Sequence, residues 1–240
     1  MKKVKKIKIF LGLSYLILIT TFLLFFFSKY SLQEITSYDF IKENRDYFIG
    51  LKESNLFLVF LIYLLFAILW TFPFLGFGSP IALLAGFIFG KWVGTFVIVL
   101  SLSTGGTFLY MFGNYFLKDL IKEKILVKLK NLEKKFKDSE FTYLLIYRFL
   151  GGIPWQLSCL LPTIFNVKVS NFFLATLLGI IPQVFLVVSI GSGLEKVIDQ
   201  NSNIPKILDI IFLPDIYVPI IAFFSLILLT IFLRRLFYKN

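Results

Sequence analysis

Long apolar stretches separated by short charged ones run the length of this chain, and the breaks inside the apolar stretches are as informative as their lengths. Residues 9–27 carry no charge and follow five lysines within the first eight positions. About 20 apolar residues cover roughly 30 Å of hydrocarbon as a helix, so this stretch predicts a first membrane span. A secretory leader would end in a small-residue cleavage site, which "FFFSKYSLQE" lacks. Residues 28–54 hold four basic and five acidic side chains and predict an external segment with a short amphipathic helix. Residues 55–72 predict a second span and 91–116 a third, whose middle, "SLSTGGT", is small and polar. Residues 169–190 form a further span with a Gly179–Pro182 kink and with Asn171, Thr176 and Gln183 on board. A polar loop over 191–214 precedes a last span over 215–233, and Arg234, Arg235 and Lys239 close the chain.

Two apolar stretches do not read as plain spans. "PFLGFGSPIALLAGFIFG", residues 73–90, is broken by Pro73, Gly76, Gly78 and Pro80; residues 141–162 are broken by Gly151, Gly152, Pro154 and Pro162. Gly78-Ser79-Pro80 and Gly152-Ile153-Pro154 repeat the pattern Gly-x-Pro, and each stretch is followed by a connector and a long span. Proline removes an amide donor and glycine lets the chain reverse. Broken segments at matching places in two halves mark inverted-repeat transporters, whose site lies where they meet. Two proline-kinked ordinary spans are the plainer reading. Two re-entrant hairpins, at about 73–90 and 141–162, are the expectation adopted here. Gly86, Gly90 and Gly94 form a small-xxx-small run that predicts close helix packing rather than ligand contact.

Composition narrows the chemistry. The chain is 58% hydrophobic and 16% charged, against roughly 45–50% and 25% for soluble domains, so lipid is its solvent. The fold class is all-α: a polytopic membrane protein with about five full spans plus two opposed hairpins. There is no histidine and one cysteine, Cys159, which removes the commonest general base and any cysteine metal cluster. No catalytic residue, metal or cofactor is expected, and acid–base enzymology has little to work with. The net charge of +11 sits in clusters, which suits membrane orientation and anionic lipid better than nucleic acid. Lysines at 122, 124, 128, 130, 134, 135 and 137 surround an apolar stripe, as on a solvated cytoplasmic helix or one lying on anionic lipid.

Arg148 is the charged residue that stands out, alone between Glu140 and Lys168. It lies about 12 Å along a helix from Glu140 and so could snorkel to the interface. Alternatively its guanidinium holds a phosphate beside the second break, as Arg does bidentately. No Asp or Glu occurs between positions 54 and 118 or between 141 and 194, so an anionic visitor is the natural partner. Gly78, Pro80, Gly151, Gly152, Pro154, Gln156, Ser158 and Gln183 complete the expected lipid path.

"LLAGFIFGKWVGT", and then "RFLGGIPWQLSCLLPTIFNVKVSNFFLATLLGIIPQVFLVVSIGSG", resemble the SNARE-associated Golgi protein family, the VTT or DedA superfamily, over roughly residues 72–193. They look nearest to its bacterial TVP/TMEM branch. The resemblance implies two facing re-entrant hairpins and a role in lipid handling, as scrambling of phospholipid or return of a polyprenyl phosphate. The acidic membrane residues of the DedA branch are missing, which favours passive movement over proton-driven transport.

The expected organisation is a first span and external segment over 1–54, a VTT-like core over 55–193, and a loop and final span over 194–240. The expected activity is non-enzymatic movement of lipid across the plasma membrane, with anionic headgroups as partners and a homo-oligomer left open. The alternative is a small-solute or ion transporter bearing on membrane potential. Lysine bias places the amino terminus, the 118–137 region and the carboxyl end in the cytoplasm. Three crossings before Lys118 would put it opposite the amino terminus, so the two rules conflict in the first half.

Overall fold

A computed structural model of the chain describes residues 2–29, 50, 55–72, 78–118 and 139–200, with scattered positions from 214 to 225. Most of the external segment, Pro73 and Gly76, the lysine-rich stripe and most of the last span lie outside the described residues. Every described element is helical. Helix α1 is Lys2–Lys29. Helix α2, Leu56–Thr71, is started by Asn55, whose side-chain oxygen accepts from the Leu58 amide at 3.0 Å. Helix α3 is Gly78–Phe112, continued by a π-helical turn over Gly113–Leu117. Helix α4, Glu140–Leu150, is followed after a break by α5, Trp155–Leu160, and a 3-10 turn, Leu161–Phe165. Helices α6, Val169–Gly179, and α7, Ile181–Gln200, are the last two elements among the described residues.

Helix α3 is two helices. Gly90 has φ 72 and ψ 178, far from helical values. Across it the chain reverses: a Cβ on Gly94 would stand 2.8 Å from the Ala85 carbonyl oxygen, and one on Gly78 3.3 Å from Leu102. Each pair is nearly equidistant from Gly90, as antiparallel arms require. Gly90 was expected to be a packing residue, and it is not one, because nothing lies within 4 Å of where its side chain would start. Its φ is the reason for glycine there. Gly90→Ala is therefore expected to cost about 1–3 kcal/mol through backbone strain alone. Thermal unfolding in detergent would read it, and an unchanged midpoint would mean that the turn relaxes freely.

The first hairpin is larger than residues 73–90. Tyr63 donates to the Ile81 carbonyl, and Phe60, one turn earlier in α2, meets Phe89 edge-on at 6.3 Å, so α2 runs antiparallel to residues 78–89. Ser101 approaches the Leu64 carbonyl and Gly105 the Ile68 carbonyl, so α2 is parallel to residues 91–112. The stretch expected as a second span thus packs along both parts of α3. Gly78, Ser79 and Pro80 open α3 rather than break a helix, because a first-turn proline has no intrahelical amide bond to lose.

The second half repeats this order. Helix α4 enters, the chain breaks at residues 151–154, and α5 with its 3-10 turn comes back. Asn166, left-handed at φ 51, then turns the chain into α6. Asn166 therefore stands where Gly90 stands in the first half. Glu140 accepts from the Lys168 amide and the Asn171 side chain, while Arg148 bonds Thr176, which sets α4 parallel to α6.

The halves interlock. Trp155 and Cys159 lie against Gly106, and Leu160 and Thr163 against Gly113, so the second short arm lines up with the first half's long helix. In return Gly86 meets Val188 and Gly191 meets Leu83, which lays residues 78–89 along α7. One core joins α2, α3 and α7 around Ala67, Ile98 and Val188; another gathers Tyr110, Leu144, Cys159 and Phe172.

Large apolar side chains outside these cores face outward, Trp92 at 72% exposure and Phe57 at 70% among them. Such a surface suits lipid, not water. By length and composition Gly78–Leu117 could cross a membrane, as could the pair Val169–Gly179 and Ile181–Gly193, bent by 44°, if counted as one. With the reversal at Gly90, the crossing part of the first begins after it and is still roughly 40 Å long.

Candidate functional site

The start of α3 and the break of the second half come together. Gly78, Ser79 and Ala82 from the first, with Ile153, Trp155 and Gln183 from the second half, line a cavity of about 230 Å³. A second cavity, about 40 Å³, is walled by Tyr147, Arg148, Gly151, Trp155, Ser158 and Gln183. Ile153, Trp155, Ile180 and Gln183 line both, so the two are neighbours.

Arg148 sits behind that shared wall. It is 4% exposed, and its side chain turns inward instead of snorkelling. Its Nε donates to Thr176 Oγ1 at 3.1 Å, Nη1 to Ser158 Oγ at 2.5 Å and Nη2 to Cys159 Sγ at 3.4 Å. The guanidinium carbon lies 4.9 Å from the Trp155 ring and 5.0 Å from that of Phe172, within cation–π range. Gly179 leaves room for this: a Cβ there would stand 2.6 Å from that of Arg148. Among the described residues no carboxylate pairs with Arg148. Its charge is spread over hydroxyls, a thiol and ring faces, all neutral, so an incoming anion would meet no competitor.

The backbone at the second break is shaped by glycine and held by Gln183. Gly151 and Gly152 have φ of 65 and 82. The Gln183 amide nitrogen donates to the carbonyls of Arg148 and Phe149, at 2.7 and 2.8 Å, and so satisfies the last turn of α4. A side chain on Gly151 would start 2.8 Å from that nitrogen.

The expected path residues are therefore brought together only in part. Arg148, Gly151, Ser158, Gln183 and Gly78 wall the cavities. Gly152 and Pro154 form the apex, and Pro154 leads into α5. Pro80 belongs to the first turn of α3, and Gln156 lines neither cavity. Gly86 and Gly94 stand against backbone, at 2.0 Å from Val188 O and 2.8 Å from Ala85 O for an added Cβ. Sequence reasoning passed over Trp155, Tyr147 and Gly191. A tryptophan directly after Gly-x-Pro and a tyrosine beside the lone charge were the available signals for the first two.

An all-helical membrane protein of two interlocked halves, with the start of α3 and the second half's break facing one cavity, is the class these features define. The VTT domain model matches residues 72–193, half of the chain, and the chain belongs to that family. It is 27% identical over 153 residues to a "Transmembrane protein 41 homolog" of Dictyostelium discoideum, covering 60% of this chain and 44% of that protein. A protein of the same name from Caenorhabditis elegans is 27% identical over 120 residues, 48% of each chain. YqeD of Bacillus subtilis (strain 168), itself uncharacterized, is 27% identical over 146 residues, 60% of this chain and 70% of that one. The chain thus spans less than half the length of the two transmembrane protein 41 homologues it matches. No solved structure matches.

Proposed function

We propose that the protein moves lipid across the plasma membrane without chemical conversion, the headgroup phosphate passing Arg148 at the meeting point of two re-entrant hairpins. The observation that carries this reading is a buried guanidinium with no acidic partner among the described residues, set behind a cavity that the start of α3 and the second break wall together. A cavity of about 230 Å³ falls just under the ~300 Å³ at which small-molecule sites usually begin, a size for a headgroup with its acyl chains outside. Backbone broken at membrane depth has to be covered by protein or line a wet cavity, and Gly78, Gly151 and Ile153 do line the two cavities.

The packing also supports a topology. Lys8 lies 3.8 Å from the Tyr115 ring and Tyr15 meets Phe112, so α1 is antiparallel to residues 91–117 and the amino terminus shares a side with Lys118. Lys118 bonds Asn166 there, at the mouth of the second hairpin. With α2 counted as an arm of the first hairpin and not as a crossing, two crossings precede Lys118, and the lysine clusters agree. On this reading residues 1–54 are a span and an external segment, 55–193 the lipid-moving core entered from opposite sides by its hairpins, and 194–240 a return span.

The test uses purified protein in liposomes carrying a trace of fluorescent phospholipid, with a membrane-impermeant quencher added outside. Empty liposomes lose the outer-leaflet half of the signal, and protein-bearing ones are expected to lose most of the remainder. Quenching that stops at half would remove phospholipid movement as the function. Gradient-dependent uptake of a small anion would then be the measurement for the transporter alternative.

A further inference from the structure

Two buried donors beside Arg148 have no partner. Trp155 Nε1 and Tyr147 Oη are each closed off from solvent and unbonded, and both residues wall the 40 Å³ cavity that Arg148 also walls. An indole N–H can only donate, and a guanidinium has more N–H groups than the three partners of Arg148 take up. The other lining side chains add little to that balance. Ser158 already accepts from Arg148 and donates to the Trp155 carbonyl. Gln183 spends its amide nitrogen on two carbonyls, which leaves its amide oxygen as an acceptor. No carboxylate and no second cation lines the cavity.

Buried polar groups without partners call for a ligand, an ion or water. The cavity exceeds the roughly 10–15 Å³ that a single water needs. Its charge balance favours something else: one fixed positive charge with neutral donors around it and no carboxylate. We infer that Arg148, Trp155 and Tyr147 form a binding site for a singly charged phosphate, a phosphodiester, and that it discriminates against phosphomonoesters. A phosphodiester presents two unesterified oxygens and one negative charge, which one guanidinium neutralises. A phosphomonoester, with a second pKa of about 6, carries close to two charges at neutral pH, and its second would stay uncompensated in a buried site. The inference deepens the proposed function by naming the class of lipid that its Arg148 site accepts.

Binding, measured apart from transport, tests it. The full chain in detergent is titrated at pH 7.5 and pH 5.5 with dihexanoyl phosphatidylglycerol, dihexanoyl phosphatidic acid and inorganic phosphate, and the rise in melting temperature gives each affinity. The diester is expected to bind at both pH values. The monoester should bind at least about tenfold more weakly at pH 7.5 and gain as it takes up its second proton. Stabilisation by inorganic phosphate at pH 5.5 equal to that by the diester would identify a free-anion site instead of a lipid one. Tyr147→Phe keeps its ring and removes one donor, Trp155→Phe removes the N–H while keeping a smaller aromatic ring there, and each should weaken diester binding by about tenfold. Wild-type affinity in both variants, or equal binding of monoester and diester at pH 7.5, overturns the inference and leaves water as the cavity's occupant. Diester binding without lipid movement in liposomes would spare this site and sink the transport reading; movement without discrimination would do the reverse.

Discussion

Arg148→Met is expected to stop lipid movement while leaving the protein as stable as before, or more so. The two effects part because of what the guanidinium touches. Thr176 and Ser158 accept from it through hydroxyls, and Ser158 keeps its own bond to the Trp155 carbonyl once the arginine is gone. No carboxylate is stranded, so the usual penalty for breaking a buried pair does not arise. Replacing a buried charge by an apolar side chain of similar volume is commonly neutral, or stabilising by about 1–4 kcal/mol. Methionine fills irregular space and keeps favourable contact with the Trp155 and Phe172 rings. Activity should fall to the level of empty liposomes, because nothing else in the cavity wall carries a positive charge. Arg148→Lys restores the charge but not the planar two-pronged geometry, and should recover part of the rate. Melting temperature and quencher-accessible lipid, measured on the same preparations, decide the matter. Full activity in the methionine variant would end the phosphate role; collapse of the fold would make Arg148 a structural residue.

Gly86→Ala is expected to have the largest effect on stability. A single methyl there would stand 2.0 Å from the Val188 carbonyl oxygen and 2.9 Å from its carbon, and backbone cannot swing aside as a side chain can. Gly191 faces Leu83 across the same seam, again at 2.0 Å. Overpacking typically costs about 1–3 kcal/mol, and contact of this kind with a helix backbone belongs at or above the top of that range. The pair should also be strongly non-additive. Once one methyl has pushed α7 away from residues 78–89, the second finds the space already open. The double variant Gly86→Ala with Gly191→Ala should therefore lose clearly less than the sum of the singles, as read by unfolding in detergent. A wild-type midpoint for Gly86→Ala would show that the seam opens at little cost.

Much of the all-helical character and of the broken second half was legible in the sequence, because both depend on local rules. Glycine and proline at residues 151–154 leave a helix little choice, and a lone arginine among apolar residues draws attention by its cost. What the sequence did not yield was partnership. Residues 55–72 read as a complete span because their apolar length is all that a linear pattern displays. Their packing along both parts of α3 depends on Tyr63 reaching Ile81 and on Ser101 reaching Leu64, which are tertiary facts. Gly90 looked like its neighbours Gly86 and Gly94 at a spacing of four, and only its φ sets it apart. Asn166 gave still less warning, since an asparagine in a left-handed turn is invisible to a search for glycine. Gly191 needed its partner Leu83, more than a hundred positions away, to show what it was for.

Interlocking carries a consequence for how the protein is made. Residues 78–89 settle against Val188 and Ser192, which leave the ribosome about 100 residues later. At about 5–20 residues per second this is a wait of roughly 5–20 s. Throughout it the first half sits in the membrane with a bare glycine seam and no mate. Neither half is a self-sufficient folding unit, so a nascent chain stalled before α7 would offer that seam to whatever helix or quality-control protease is nearest. An α7 segment expressed separately should be able to claim it.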